Sequence, residues 1–168
     1  SGRVFYYIKY SMEKEGNILY QFYNTWIRWS YFEAKVPDMK ICIGFWVHGP
    51  LKNNRKSAKY PIYIKSRSLK HVYDKRTAEE FDFILGNYGL LLADPDKIYR
   101  NKDQKRGDYC FVRRLEDGRE YFCSLELECD LYKKISNLWL VTVFRIRKVS
   151  YLHNYKLLWT RGSDISPS

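Results

Sequence analysis

The sequence predicts an α+β fold: short N-terminal helices packed on an antiparallel sheet of four or more strands. Three observations carry this expectation. A capped helical stripe over Thr77–Tyr88 precedes the main run of strand signals instead of alternating with them. From residue 97 onward, strand-like segments are joined by turns short enough for hairpins. The 168 residues, 45% of them hydrophobic, suffice for one packed core.

Each element has its own local reason. Leu19, Phe22, Tyr23, Trp26 and Ile27 approximate helical spacing, so an amphipathic helix is expected over Asn17–Ala34. Lys40–His48 (KICIGFWVH) reads as a strand closed by Gly49-Pro50. Tyr60–Lys65 is a short strand, after which Ser66 or Ser68 can cap a short helix burying Leu69, Val72 and Tyr73. Thr77-Ala78-Glu79-Glu80 is a capping box, and Phe81, Ile84, Leu85 and Tyr88 follow it at i, i+3, i+4, i+7. Gly89 or the Asp94-Pro95-Asp96 turn should end that helix. Strands are then expected at Lys97–Arg100, Tyr109–Arg114, Arg119–Glu128 and Leu138–Lys148, with a helical turn over Tyr151–Trp159. Residues 1–50 form an aromatic-rich N-terminal extension whose role the sequence leaves open. Residues 51–59 read as a basic linker, 60–162 as the principal domain and 163–168 as a flexible tail.

Charge points to the partner. Thirty Lys and Arg face 19 Asp and Glu, a net +11. Nine basic residues and one acid lie between Lys52 and Arg76, and seven basic residues with no acid lie between Lys133 and Arg161. If the two stretches share a face, they form a footprint for a phosphate backbone; as separate solvated surfaces they only aid solubility. The aromatic content of 18%, with 16 Tyr and 5 Trp, suits base stacking or, alternatively, plain sheet filling. RNA is the expected partner.

Cys42, Cys110, Cys123 and Cys129 form no CxxC pair and have no His at zinc-finger spacing, so no metal is expected. Cys110 and Cys123 read as small buried hydrophobes. With no Gly-rich phosphate loop, no small-molecule cofactor is expected either. A reducing compartment, no evident signal peptide and no membrane-length apolar run make the expected location cytoplasmic, without membrane contact.

His71 stands out chemically. It follows Lys70, precedes Lys75 by one helical turn, and lies off the Leu69/Val72/Tyr73 face. An imidazole among cations can act as acid or base on a ribose hydroxyl while the cations stabilise phosphate charge; a surface histidine with no chemistry is the plainer alternative. Arg76 joins Lys70 as a candidate RNA contact. On the last long strand, alternation sets Thr142 and Arg145 on opposite faces unless a bulge re-aims one; Arg145 and Arg147 share a face suited to phosphate. Tyr155 and Trp159 can stack on bases or pack against the sheet edge.

The segments YPIYIKSRSLKHVYDKR, TAEEFDFI, ADPDKIYRNKDQKRGDYCFV, YFCSLEL, LVTVFRIRK and YLHNYKLLW, in this order over 60–162, resemble the phage-type branch of the barnase–EndoU–colicin–RelE nuclease superfamily. The resemblance implies a metal-independent endoribonuclease that cleaves through the 2′-hydroxyl and leaves a cyclic phosphate. It implies a toxin or an effector of phage–host conflict, with room for an antitoxin or immunity protein as inhibitor. It places the acid/base at His71, with Lys75 beside it, and Thr142 and Arg145 near the scissile phosphate. Arg106 or Arg113 would come alongside. The competing expectations are a non-catalytic RNA-binding module, and a protein-interaction domain docking through its N-terminal aromatic helix.

Overall fold

The computed structural model describes residues 17–46 and 60–162. In chain order these form α1 (Ile18–Trp26), β1 (Lys40–Trp46), β2 (Tyr60–Lys65), α2 (Ser66–Lys75), α3 (Ala78–Ala93), β3 (Lys97–Arg100), β4 (Tyr109–Arg114), β5 (Glu120–Asp130), β6 (Ile135–Arg145) and β7 (Lys156–Thr160). The class is α+β. The seven strands make one sheet ordered β1-β2-β6-β5-β4-β3-β7. Every neighbouring pair is antiparallel except β2 and β6, which run parallel. The sheet is therefore mixed and not purely antiparallel as expected. Nor are the helices gathered at the N-terminus, because α2 and α3 follow two strands. Both departures have one origin: β2 lies beside β6, far downstream, and parallel neighbours need a long crossover.

Residues 17–46 belong to this core. β1 pairs along β2, and Leu19, Phe22, Ile27 and Trp46 are buried in the same cluster as Phe81 and Phe111. The expected linker 51–59, the tail 163–168 and His48 lie outside the described residues. Helix α1 starts where Asn17 accepts from the Tyr20 N–H at 3.0 Å, and Asn17 Nδ2 donates to the Leu85 carbonyl at 2.7 Å. It is half the expected length. After Trp26 the Ile27 and Arg28 N–H groups both turn back to the Tyr23 carbonyl at 2.9 Å, and Ser30 Oγ closes on the Ile27 carbonyl at 2.6 Å. Aromatic and β-branched residues at that end hold a helix poorly.

Neither serine caps α2. Ser66 Oγ donates instead to the Pro37 carbonyl and accepts from the Met39 N–H at 3.0 Å, tying α2 to the chain before β1. Helix α3 does begin at Thr77, whose Oγ1 accepts from the Glu80 N–H at 3.2 Å. It continues through Gly89 to Ala93, because buried Leu91 and Leu92 extend the apolar face, and the Asp94-Pro95-Asp96 turn ends it. Residues 151–154 form turns instead of a helix, and 156–160 becomes β7 on the open edge of β3.

The parallel register is brief: Ile62–Ile64 faces Leu138–Leu140 and stops. Beyond it, the edge of β6 loses its strand neighbour and exposes backbone polar groups that must find partners. Two side chains from the helical segment supply them. Arg76 Nε donates to the Val143 carbonyl at 2.9 Å, and the Glu80 carboxylate accepts from the Arg145 N–H at 2.9 Å. Glu80 also takes the Arg147 guanidinium. Its side chain is 1% exposed, so the carboxylate that the capping box would send back to Thr77 crosses to the sheet instead.

A bulge decides which residues of β6 face where. Ser124 pairs with Thr142 but Leu125 with Leu140, so Val141 is extra. Before the bulge Leu138 and Leu140 enter the helix-covered core; after it Val143 does, while Phe144 joins a smaller cluster on the other face. That second cluster gathers Tyr99, Cys110, Val112, Phe122 and Tyr155.

Replacing Glu80 by alanine should lower stability by about 1–3 kcal/mol, the usual effect of orphaning a buried donor. Glu80→Gln should lose less, since its amide oxygen can still accept from Arg145. Urea melts of the two variants check this; equal stability of Glu80→Ala and parent would refute the edge-closing role.

A candidate nucleic-acid interface

A cavity of about 570 Å³ opens on the sheet face that carries the smaller cluster. Its walls come from three elements. Arg67, Ser68 and His71 project from one side of α2, at i, i+1 and i+4. Asn101, Gln104, Lys105 and Arg106 come from the loop between β3 and β4. Phe122 and Ser124 of β5, Val141, Thr142 and Phe144 of β6, and Tyr151 complete the floor and far wall. Among the described residues no carboxylate lines it.

The bulge gives Thr142 its place here. Without the extra residue Val141, strict alternation from Leu140 would turn Thr142 into the apolar core. With it, Val141 and Thr142 both reach the cavity, and Thr142 Oγ1 accepts from Arg76 Nη2 at 3.4 Å. Arg76 thus bridges the sheet edge and the site, with its guanidinium also 5.2 Å from the centre of the Phe144 ring. His71 is exposed on the rim of the same cavity. Its pKa is lowered from the ordinary imidazole value, first by desolvation and then by the nearby Arg76 and Lys75 charges, with Asp74 opposing. At neutral pH the ring is therefore held in its basic, unprotonated form.

The loop carrying Lys105 and Arg106 is pinned. Asn101 Nδ2 donates to the Arg106 and Gly107 carbonyls at 2.9 and 3.2 Å, and its Oδ1 accepts from the Lys102 N–H at 2.9 Å. Gly107 has a φ of 102°, and a Cβ there would lie 3.2 Å from Ser124 Cβ, so the loop rests directly on the floor of the site. Arg106 also pairs with Glu126 at 3.1 Å, both well exposed.

Of the residues expected from sequence, His71, Thr142 and Arg106 meet in this cavity, Arg76 bonds to Thr142 from its edge, and Lys75 acts on His71 from one turn away. The others stand elsewhere. Lys70 is 5% exposed and spends its ammonium on Asp74 at 2.5 Å and on the Tyr31 carbonyl, so it faces inward. Arg145 falls with Val143 on the helix-covered side of β6, opposite Thr142, and Arg147 is held by Glu80. Arg113 pairs with Asp94 at 2.8 Å at the far end of β4. Trp159 packs edge-on against Trp46 at 5.7 Å, and Tyr155 is 8% exposed and stacked on Tyr151. Neither aromatic is free as a base platform. The basic stretch 133–161 contributes no cation to the cavity lining, which takes its positive charge from α2 and the 101–108 loop instead.

Sequence reasoning passed over Arg67, Gln104, Lys105 and Ser124. Arg67 carried a signal, its spacing of four from His71; Ser124 carried none, being one polar residue in an alternating strand. Cys110 and Cys123 are fully buried, and burial pushes the Cys110 thiol up to about 12. Among the described residues no three His, Cys, Asp or Glu side chains converge to hold a metal ion, and no helix is long and apolar enough to cross a membrane. Comparison with models of known protein families, with curated proteins and with solved structures finds no match to this chain.

The cause of the lowered His71 pKa gives a signed test. Lys75→Ala removes a cation that disfavours imidazolium, so the His71 titration midpoint should move up, toward the ordinary histidine value. Proton NMR of the imidazole resonances follows it directly; a midpoint that falls or stays fixed would remove Lys75 from the electrostatics of the site.

Proposed function

We propose that this protein is a metal-independent endoribonuclease that uses His71 as base within the cationic cavity. One observation carries the reading: an imidazole held toward its unprotonated form shares a cavity with Arg67, Lys105, Arg106 and Thr142 and, among the described residues, with no carboxylate. Such a cavity attracts a polyanion and puts a proton acceptor beside it. His71 takes the proton of a ribose 2′-hydroxyl, the 2′-oxygen bonds to phosphorus, and the bond from phosphorus to the 5′-oxygen breaks. The departing 5′-oxygen is protonated from solvent, which reaches the open cavity, and the product end is a 2′,3′-cyclic phosphate. Arg67, Lys105 and Arg106 offset the charge that builds on the non-bridging oxygens. Arg76 keeps Thr142 aimed into the site through the 3.4 Å bond to its hydroxyl.

On this reading the domain is a variant of the barnase–EndoU–colicin–RelE fold, working in the cytoplasm as a toxin or conflict effector. A basic cavity of this kind would be the surface for an acidic inhibitor protein to cover. A second reading rests on the same lining: with His71 the one histidine among the described residues that line it, the cavity also fits an RNA-binding module that does not cleave.

Labelled RNA incubated in EDTA separates the two. Cleavage should be seen, with a cyclic-phosphate end, and His71→Ala should slow it by about a hundredfold to ten-thousandfold while RNA affinity holds. Affinity should fall steeply with salt, because each contacted phosphate releases counterions. Binding without cleavage would favour the RNA-binding module. A flat salt dependence, or none of these RNAs bound, would discard both.

A further inference from the structure

Ser124 is an anomaly that the proposed cleavage does not use. It is 2% exposed, its Oγ is buried, and that oxygen meets no hydrogen-bond partner among the described residues. A buried hydroxyl left unpaired lowers stability, and an alanine would fill the same space without that penalty. Yet Ser124 lies in the lining of the cavity, directly across the β5–β6 pair from Thr142. A hydroxyl both donates and accepts, so a polar group placed on the floor beside Ser124 could satisfy it.

The cavity has two layers of different chemistry. Its charges, Arg67, Lys105 and Arg106, are exposed and stand on the rim with His71. Its floor is neutral: Ser124 lies beside Phe122, Val141 and Phe144, with Phe122 and Phe144 stacked at 4.7 Å. An anion pressed against that floor would lose its hydration and meet a cation only at the edge, where Arg76 is already bonded to Val143 and Thr142. A planar heteroaromatic with apolar faces and polar edges suits both layers: its edge reaches the hydroxyl while the phosphate attached to it stays on the rim. The exposed amide of Gln104, on the pinned loop above, can donate and accept at the same edge.

We propose that Ser124 forms the floor of a nucleobase subsite and reads the edge of the base beside the scissile phosphate. This rests on RNA being the ligand of the cavity. It makes the protein selective for a nucleotide and not merely for a phosphate backbone, since a base that turns a C–H edge to the floor leaves the buried hydroxyl orphaned.

The test uses 2′-O-methyl RNA octamers of A, of C and of U, which bind as RNA does but lack the attacking hydroxyl. For the parent protein, affinities for the tightest and weakest octamers should differ by about tenfold, the scale of one buried hydrogen bond. In Ser124→Ala the spread should shrink to within about threefold, with the salt slope unchanged. Thermal melting should show Ser124→Ala at least as stable as the parent, which keeps the comparison free of folding effects. Three results overturn the subsite: equal affinities in the parent, an undiminished spread in Ser124→Ala, or a salt slope reduced by about one in that variant, which would place a phosphate on the floor. Failure of every octamer to bind is a different outcome; it removes the RNA reading itself, and the subsite with it.

Discussion

The arrangement depends on how one strand edge is finished. β6 needs a neighbour on the β2 side along its whole length, but β2 runs beside it only from Ile62 to Ile64. Had β2 continued, it would have covered the ground where α2 now lies. Arg76 and Glu80 let it stop. The one gives a hydrogen bond to the Val143 carbonyl and the other accepts one from the Arg145 N–H, so two side chains substitute for a missing strand. The chain is then free to leave the sheet at Lys65 and place a helix alongside the open half of β6.

That placement makes the cavity. Helix α2 borders the sheet edge instead of covering its face, so Arg67 and His71 look across the floor formed by β5 and β6. The bulge at Val141 turns Thr142 to the same side, and Asn101 fixes the cationic loop opposite. Arg76 belongs to both structures: its Nε closes the edge, its Nη2 reaches Thr142, and its charge adds to the desolvation that lowers the His71 pKa. The sheet edge and the cavity share that side chain, so a substitution there disturbs both.

How much of this was legible in the sequence follows physical lines. The Thr77 cap, the stripe behind it and the strands Lys97–Arg100 and Tyr109–Arg114 are local patterns, and local patterns carry their own evidence. His71 was legible because an imidazole among cations on a polar helix face is a local pattern too. The parallel β2–β6 pair was not, because no neighbouring residues encode which distant strand lies alongside. Lys70 misled for a related reason: its charge is visible in the sequence, but its partner Asp74 and the Tyr31 carbonyl turn it inward only in the folded chain. The bulge is the sharpest case. Alternation was read correctly on each side of Val141, and one extra residue exchanged the faces of everything after it, bringing Thr142 into the site and removing Arg145.

The parallel pairing also sets an order of events in time. β2 leaves the N-terminal half of the chain, and its central partner is made only after α2, α3 and three further strands. Closing so long a loop is a late and entropically demanding step. His71 lies on one side of that closure and Thr142 on the other, so the two meet only when nearly the whole sheet has been synthesised and joined. A nascent or partly folded chain has the helix, or the hairpin, but no cavity between them. The cavity is thereby withheld until β6 has been made and joined to β2.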